Sequence, residues 1–183
     1  MELRPAFLLQ TIVKAMSDVI LPAVDPNNKL AQEQARLVIG MLNLVSSRLP
    51  LMYRYDRDEL SRFLALASTL QSLAKDLPGA DGALHALDNT FESGADVLSR
   101  ARAEPNELEA ANYDLREKIG ALITAAYSAT DATKLEQISA AITSHAKEQL
   151  LRDRSWLIRQ GWEPDPAAIP DIETLIGAGP SLR

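Results

Sequence analysis

Residues 56–79 read DRDELSRFLALASTLQSLAKDLPG. Within them Leu60, Phe63, Leu64, Ala67, Leu70, Ala74 and Leu77 recur at three- and four-residue intervals. On a coil of 3.6 residues per turn that spacing gathers them on one side. Asp56 and Glu59 have the separation of a capping box, with Asp in place of Ser or Thr, and Pro78-Gly79 is a stop signal. The spacing predicts an amphipathic helix over 56–77, entered from a short connector at 51–55.

The same period continues on both sides. Upstream, Pro5 suits a first helical turn, and Leu8, Leu9, Ile12, Val13, Met16, Val19 and Ile20 form a stripe too wide for a single neighbour to cover. Pro22 should end or bend that helix. A second helix should open at an Asp25 cap with Pro26 in its first turn, carry Leu30, Leu37, Val38, Met41, Leu42, Val45 and Leu49, and stop at Pro50. Downstream, a fourth helix runs from Asp81 to about residue 103 on Leu84, Leu87, Phe91, Ala95 and Leu98. Gly94 in its middle costs about 1 kcal/mol relative to alanine, which predicts a close helix crossing there. Pro105, Glu107 and Glu109 open a fifth helix, since acidic groups favour the positive helix start. A sixth begins near 130–131 and carries Leu135, Ile138, Ile142, Ala146 and Leu150, either breaking around 152–155 or continuing to Gly161.

No alternating run of β-branched or aromatic residues and no fixed-period repeat is present. The expected fold is all-α: an antiparallel helical bundle of about six helices with an irregular Pro/Gly-rich C-terminal tail. The expected organisation is one domain over 1–162 and a tail over 163–183. Within the tail a short helix at 171–176 can dock through Ile172, Leu175 and Ile176, and the residues from Gly177 onward are expected to be mobile.

Composition narrows the function classes. The chain has 183 residues, 46% of them apolar but only 5% aromatic, which suits a leucine- and alanine-built helical core. The net charge of −6 opposes general binding to nucleic acid. With no cysteine, thiolate catalysis, Fe–S clusters and Cys-ligated zinc are excluded, and a cytoplasmic location is expected for this acidic protein. Residues 7–21 are apolar, but Gln10, Lys14, Ser17 and Asp18 interrupt them. A span wants roughly 20 apolar residues, so the segment reads as an amphipathic helix and no membrane span is expected.

Few side-chain patterns carry chemistry. Asp81, His85, Asp88, Glu92 and Asp96 lie on one face of the fourth helix at steps of four, three, four and four. A carboxylate–histidine line of this kind can hold a divalent cation, but a di-iron bundle also needs Glu-x-x-His, which is absent, so a solvated face is the expected reading. His145, on the edge of the sixth helix, is expected to be a half-buried, hydrogen-bonded structural residue. Gly79-Ala-Asp-Gly82 lacks the lysine and the preceding strand of a phosphate loop and reads as a turn. No serine has a nucleophile-elbow context.

The remaining feature is a set of arginines among aromatics. Tyr53, Arg54, Tyr55 and Arg57 precede the third helix, and Arg152, Trp156, Arg159 and Trp162 lie near the end of the sixth. Arginine forks and stacks while tryptophan offers area, so this set is the candidate surface for a ligand or partner. The alternative is structural, with Arg152 and Arg159 complementing a helix C-terminus and the tryptophans plugging the bundle end.

The resulting expectation is a protein-interaction or accessory module without its own catalytic site, metal or cofactor. It should act as a homo-oligomer, most simply a dimer, or with another protein. The wide apolar stripes carry that reading. The alternative is a small-molecule binder or enzyme with a pocket between helices and an Arg/Trp-lined site for an anionic head group.

Overall fold

The computed structural model describes residues 4–129 and 131–177. Over these residues the chain is all-α, with no strand. The helices are α1 (Pro5–Ala23), α2 (Lys29–Arg48), α3 (Met52–Ala74), α4 (Asp81–Ser99), α5 (Pro105–Tyr127), α6 (Ala132–Leu157) and the one-turn α7 (Ile172–Leu175). Short 3-10 turns occupy Leu49–Leu51, Ile158–Gln160 and Pro166–Ala168. The region beyond Gly177, expected to be a mobile tail, lies outside the described residues.

Contacts divide the chain into two compact units. Among the described residues, the first holds 4–52 together with Asp153–Pro170, and the second holds Tyr53–Arg152 together with 171–177. The division falls inside the 1–162 span read from sequence as one bundle, and it runs through the last turns of α6.

Several helix ends differ from the sequence reading for identifiable reasons. Pro22 lies in the last turn of α1, which ends one residue later at Ala23 after a π turn at Met16–Ile20. A proline ring crowds the carbonyl four residues back and supplies no N–H to it. Here the Leu21 N–H reaches Met16 O, five residues back, so the turn widens just ahead of the proline. The second helix starts at Lys29 and not at Pro26, because Asn28 is the cap, its Oδ1 accepting from Ala31 N at 3.0 Å. Asp25 instead accepts from Asn27 N at 2.9 Å, closing a turn. The expected connector at 51–55 is also absent. Pro50 sits in the first turn of a 3-10 segment, where its missing N–H costs nothing, and α3 follows directly from Met52. Asp56 and Glu59 therefore lie inside α3, past its first turn.

The first unit contains α1 and α2, which pack on each other, and the segment from Asp153 through the turn ended by Gly161 (φ 74°). Only a residue without Cβ adopts that left-handed conformation freely. Ser155 Oγ donates to Pro170 O at 2.7 Å, and Gln160 Nε2 donates to Gly40 O at 3.4 Å.

The second unit carries the core. Leu60, Leu64 and Leu70 of α3, Leu87 of α4, Leu108, Leu115 and Leu122 of α5 and Ile138 of α6 are almost completely buried. Burying each such side chain contributes about 1.5–3 kcal/mol. The crossing predicted at Gly94 is present: a Cβ there would lie 3.2 Å from Leu115 Cδ1 and 3.4 Å from Leu64 Cδ2. A capping box opens α5, with the Glu107 carboxylate accepting from Glu104 N at 2.8 Å. The short helix expected at 171–176 forms as α7, capped by Asp171 and buried through Ile172 and Ile176.

Candidate functional site

The first unit is poor in interior. No residue of α1 is buried, although the helix is mostly apolar. Leu9, Val13 and Met16 are half-buried, at steps of four and three. Beside them Leu8, Ile12 and Ala15, at the same steps, are exposed. Gln10, Lys14 and Asp18, at steps of four, form a separate polar line.

In α2, Leu44 and Arg48 are buried. Arg48 donates from Nε to Trp156 O and from Nη2 to Ser155 O, both at 2.9 Å, and its guanidinium lies 5.4 Å from the Trp156 ring centre. It thereby satisfies carbonyls that the end of α6 leaves open. Leu37, Met41 and Val45, at steps of four, remain exposed, as do Leu30 and Val38. Across the two helices ten large apolar side chains are between 43% and 67% exposed. Isolated exposed leucines are ordinary on protein surfaces, whereas runs in helical register mark a contact surface. By length and composition alone, Pro5–Ala23 is also apolar enough to cross a membrane, with mean hydropathy 1.4.

The second unit holds a buried ionic group. Asp58 Oδ2 accepts from Arg62 Nε at 2.7 Å and lies 3.0 Å from Arg152 Nη2. Arg152 is 1% exposed, its guanidinium 4.5 Å from the Tyr55 ring centre and its Nη1 donating to Gln149 Oε1 at 2.7 Å. Arg62 also donates to Glu148 Oε2 at 2.9 Å and to Leu175 O at 3.0 Å, so every nitrogen of its guanidinium is engaged. The two arginines and two carboxylates balance in charge. Arg62, bonded to Asp58, Glu148 and Leu175 O, ties α3, α6 and α7 together, while Nε and Nη2 of Arg152 are buried without a hydrogen-bond partner.

Next to this group an open groove of about 470 Å³ is lined by Arg62, Leu66, Thr69, Ala141, Ser144 and His145. His145 is half-buried and packs 5.0 Å from the Phe63 ring. Its Nε2 is buried without a hydrogen-bond partner, which differs from the hydrogen-bonded histidine expected from sequence. Burial holds its pKa below the ordinary histidine value, against the pull of Glu148. The groove thus offers a neutral imidazole and a fully engaged arginine, and no nucleophile–base pair.

The arginine–aromatic candidates are distributed between the two units. In the second unit, Tyr55 and Arg152 come together at the buried ionic group. Arg57 lies 6.0 Å from the Tyr53 ring and donates to Leu98 O at 2.7 Å and Arg100 O at 3.2 Å, closing the end of α4, while Arg54 is exposed. In the first unit, Trp156 stacks with Arg48, and Arg159 and Trp162 are exposed, the latter at 66%. Trp162 therefore plugs nothing. The residues that close helix ends are Arg48 and Arg57, and neither Arg152 nor Arg159 is seen in that role.

The acidic line of α4 faces water along its whole length. Asp81, His85, Asp88, Glu92 and Asp96 are all exposed, Asp88 accepting from Gln71 Nε2 at 2.7 Å. Among the described residues no three histidine or acidic side chains cluster closely enough to hold a metal ion. Sequence reasoning did not single out Arg48, Asp58 or Arg62. The available signals were the placement of Arg48 seven residues after Met41 on the apolar side, and the four-residue spacing of Asp58 and Arg62. Comparison with protein-family models, with curated proteins and with solved structures finds no match for this chain.

Proposed function

We propose that this protein is a helical interaction module whose working surface is the apolar face of the α1–α2 hairpin, and that it has no catalytic site of its own. One observation carries this reading. A two-helix hairpin exposes ten large apolar side chains, eight of them on adjoining apolar rows of the two helices, while the second unit has a conventional leucine core. Leaving such a face in water is unfavourable by roughly 25 cal/mol per Å2, so a partner that covers it gains that term. The well-packed second unit supplies the stable support, with Arg62 tying α3, α6 and α7 together.

A membrane-buried α1 is the competing reading. It is opposed by Lys14 and Asp18, each of which costs about 2.5–3.5 kcal/mol near the centre of a span. The test is a photo-crosslinking residue placed in the full chain at Val19 or at Leu37, with a control at exposed Glu117 on α5. The expected result is protein adducts of defined mass from both hairpin positions and none from the control. Adducts to lipid alone, or none from either hairpin position, would overturn the reading.

A further inference from the structure

We infer that the occupant of the hairpin face is a second copy of this chain, the two α1–α2 hairpins closing into a four-helix bundle about a two-fold axis. This rests on the interaction reading above and names its partner. Two helices enclose little interior, and a four-helix bundle formed by two such hairpins is a common arrangement that encloses one. The row Leu9, Val13, Met16 is half-buried within the chain, and the exposed row Leu8, Ile12 beside it is the edge that such a bundle buries.

The area approaches that of a stable dimer. Leu8, Ile12, Val19, Leu30, Leu37, Val38, Met41 and Val45, at 43–67% exposure, present about 700 Å2 per chain, against roughly 800 Å2 per partner in a standard-sized interface. Charge favours this part of the molecule for contact between identical copies. The chain as a whole carries −6, so most surfaces would repel their own image. Residues 4–52 instead hold Arg4, Lys14, Lys29, Arg36 and Arg48 against Asp18, Asp25 and Glu33, five positive against three negative. An isologous contact places a patch against itself, and here the patch is apolar within a nearly neutral segment, so closure meets no like-charge penalty.

The experiment is sedimentation equilibrium of the full chain from 1 to 50 µM, with circular dichroism as the folding control. The wild type is expected to be a dimer. Ile12→Glu and, separately, Leu37→Glu are expected to weaken association at least about a hundredfold, because each would bury an unpaired carboxylate. Both positions are nearly half exposed in the single chain, so the monomers keep their helical signal. If either variant loses that signal, Met41→Ser provides the milder perturbation and is expected to weaken the dimer with helicity intact.

A wild type that stays monomeric at 50 µM, or a dimer indifferent to all three substitutions, overturns the inference. The two failures are separable. A monomer whose hairpin still crosslinks to a different protein leaves the interaction reading standing and removes only the second copy. A monomer that floats with phosphatidylglycerol vesicles and crosslinks to lipid removes both.

Discussion

Asp58→Asn should destabilise the second unit far more than Arg152→Met, although the two changes break the same ion pair. Asparagine keeps the volume of aspartate, so no cavity forms and the effect is electrostatic. After the change Arg62 still has Glu148 and Leu175 O, but Arg152, 1% exposed, loses the one carboxylate that the described residues set against it. Stranding a buried charge in this way costs about 3–5 kcal/mol. In Arg152→Met the aspartate keeps Arg62 at 2.7 Å, and the main loss is hydrogen bonding and stacking at Gln149 and Tyr55, about 1–2 kcal/mol. The double variant removes the stranded charge together with its cause, so it should be more stable than Asp58→Asn alone, with a coupling of roughly 2 kcal/mol or more. Urea unfolding of the full chain measures this. Circular dichroism, which reports the whole chain, is the readout, since both tryptophans lie in the first unit and not beside Asp58. With a slope near 1.5 kcal/mol/M, a 3 kcal/mol loss moves the midpoint by about 2 M. Equal losses from the two single variants, or a strictly additive double variant, would refute the assignment of Asp58 as the shared counter-ion.

Gly94→Ala should change stability by less than about 1 kcal/mol, since the gain in helix propensity offsets a 3.2 Å contact to a flexible leucine tip; Gly94→Leu should lose 1–3 kcal/mol by overpacking, and thermal melts distinguish the two. His145 gives the chain a pH dependence of known sign. The unfolded imidazole takes a proton near pH 6.5 while the folded one resists it, so stability is full above that pH and declines as pH falls through and below it. His145→Gln should flatten that slope relative to wild type, and an unchanged slope would remove His145 as its source. Asp56 is shifted the other way, its pKa raised by burial and then by Glu109, so ionising it opposes folding at neutral pH. Asp56→Asn should therefore raise the melting temperature slightly at pH 7 and leave it unchanged near pH 3.

The helices were legible because the core is written in one alphabet. Leu60, Leu64, Leu108, Leu115 and Ile138 follow the helical period without interruption, and each is buried. Gly94 could be read as a crossing because only contact with a neighbour compensates a mid-helix glycine. What the period does not encode is which apolar stripe finds a partner within the chain. The stripes of α1 and α2 look like those of α3 and α5 in sequence, yet α1 buries nothing and α3 buries most of its own. The arginines show the same gap. Spacing placed Arg152 near a helix end, where a capping role was natural, but its fate depended on Asp58, some ninety residues earlier. Pro50 does follow the end of α2 at Arg48; what spacing could not show is that proline at the start of a 3-10 turn costs nothing, so α3 begins at Met52 with no connector at 51–55.

The absence of cysteine permits the most direct test of the hairpin surface. A single cysteine at Gln10, exposed on the polar line of α1 and off the apolar face, carries one spin label per molecule in the full chain, and pulsed dipolar spectroscopy then reads distances only between molecules. A defined separation of about 20–40 Å, lost on adding Ile12→Glu, is the result predicted for two hairpins meeting across a two-fold axis. A featureless background at 50 µM, with the chain folded, would contradict it.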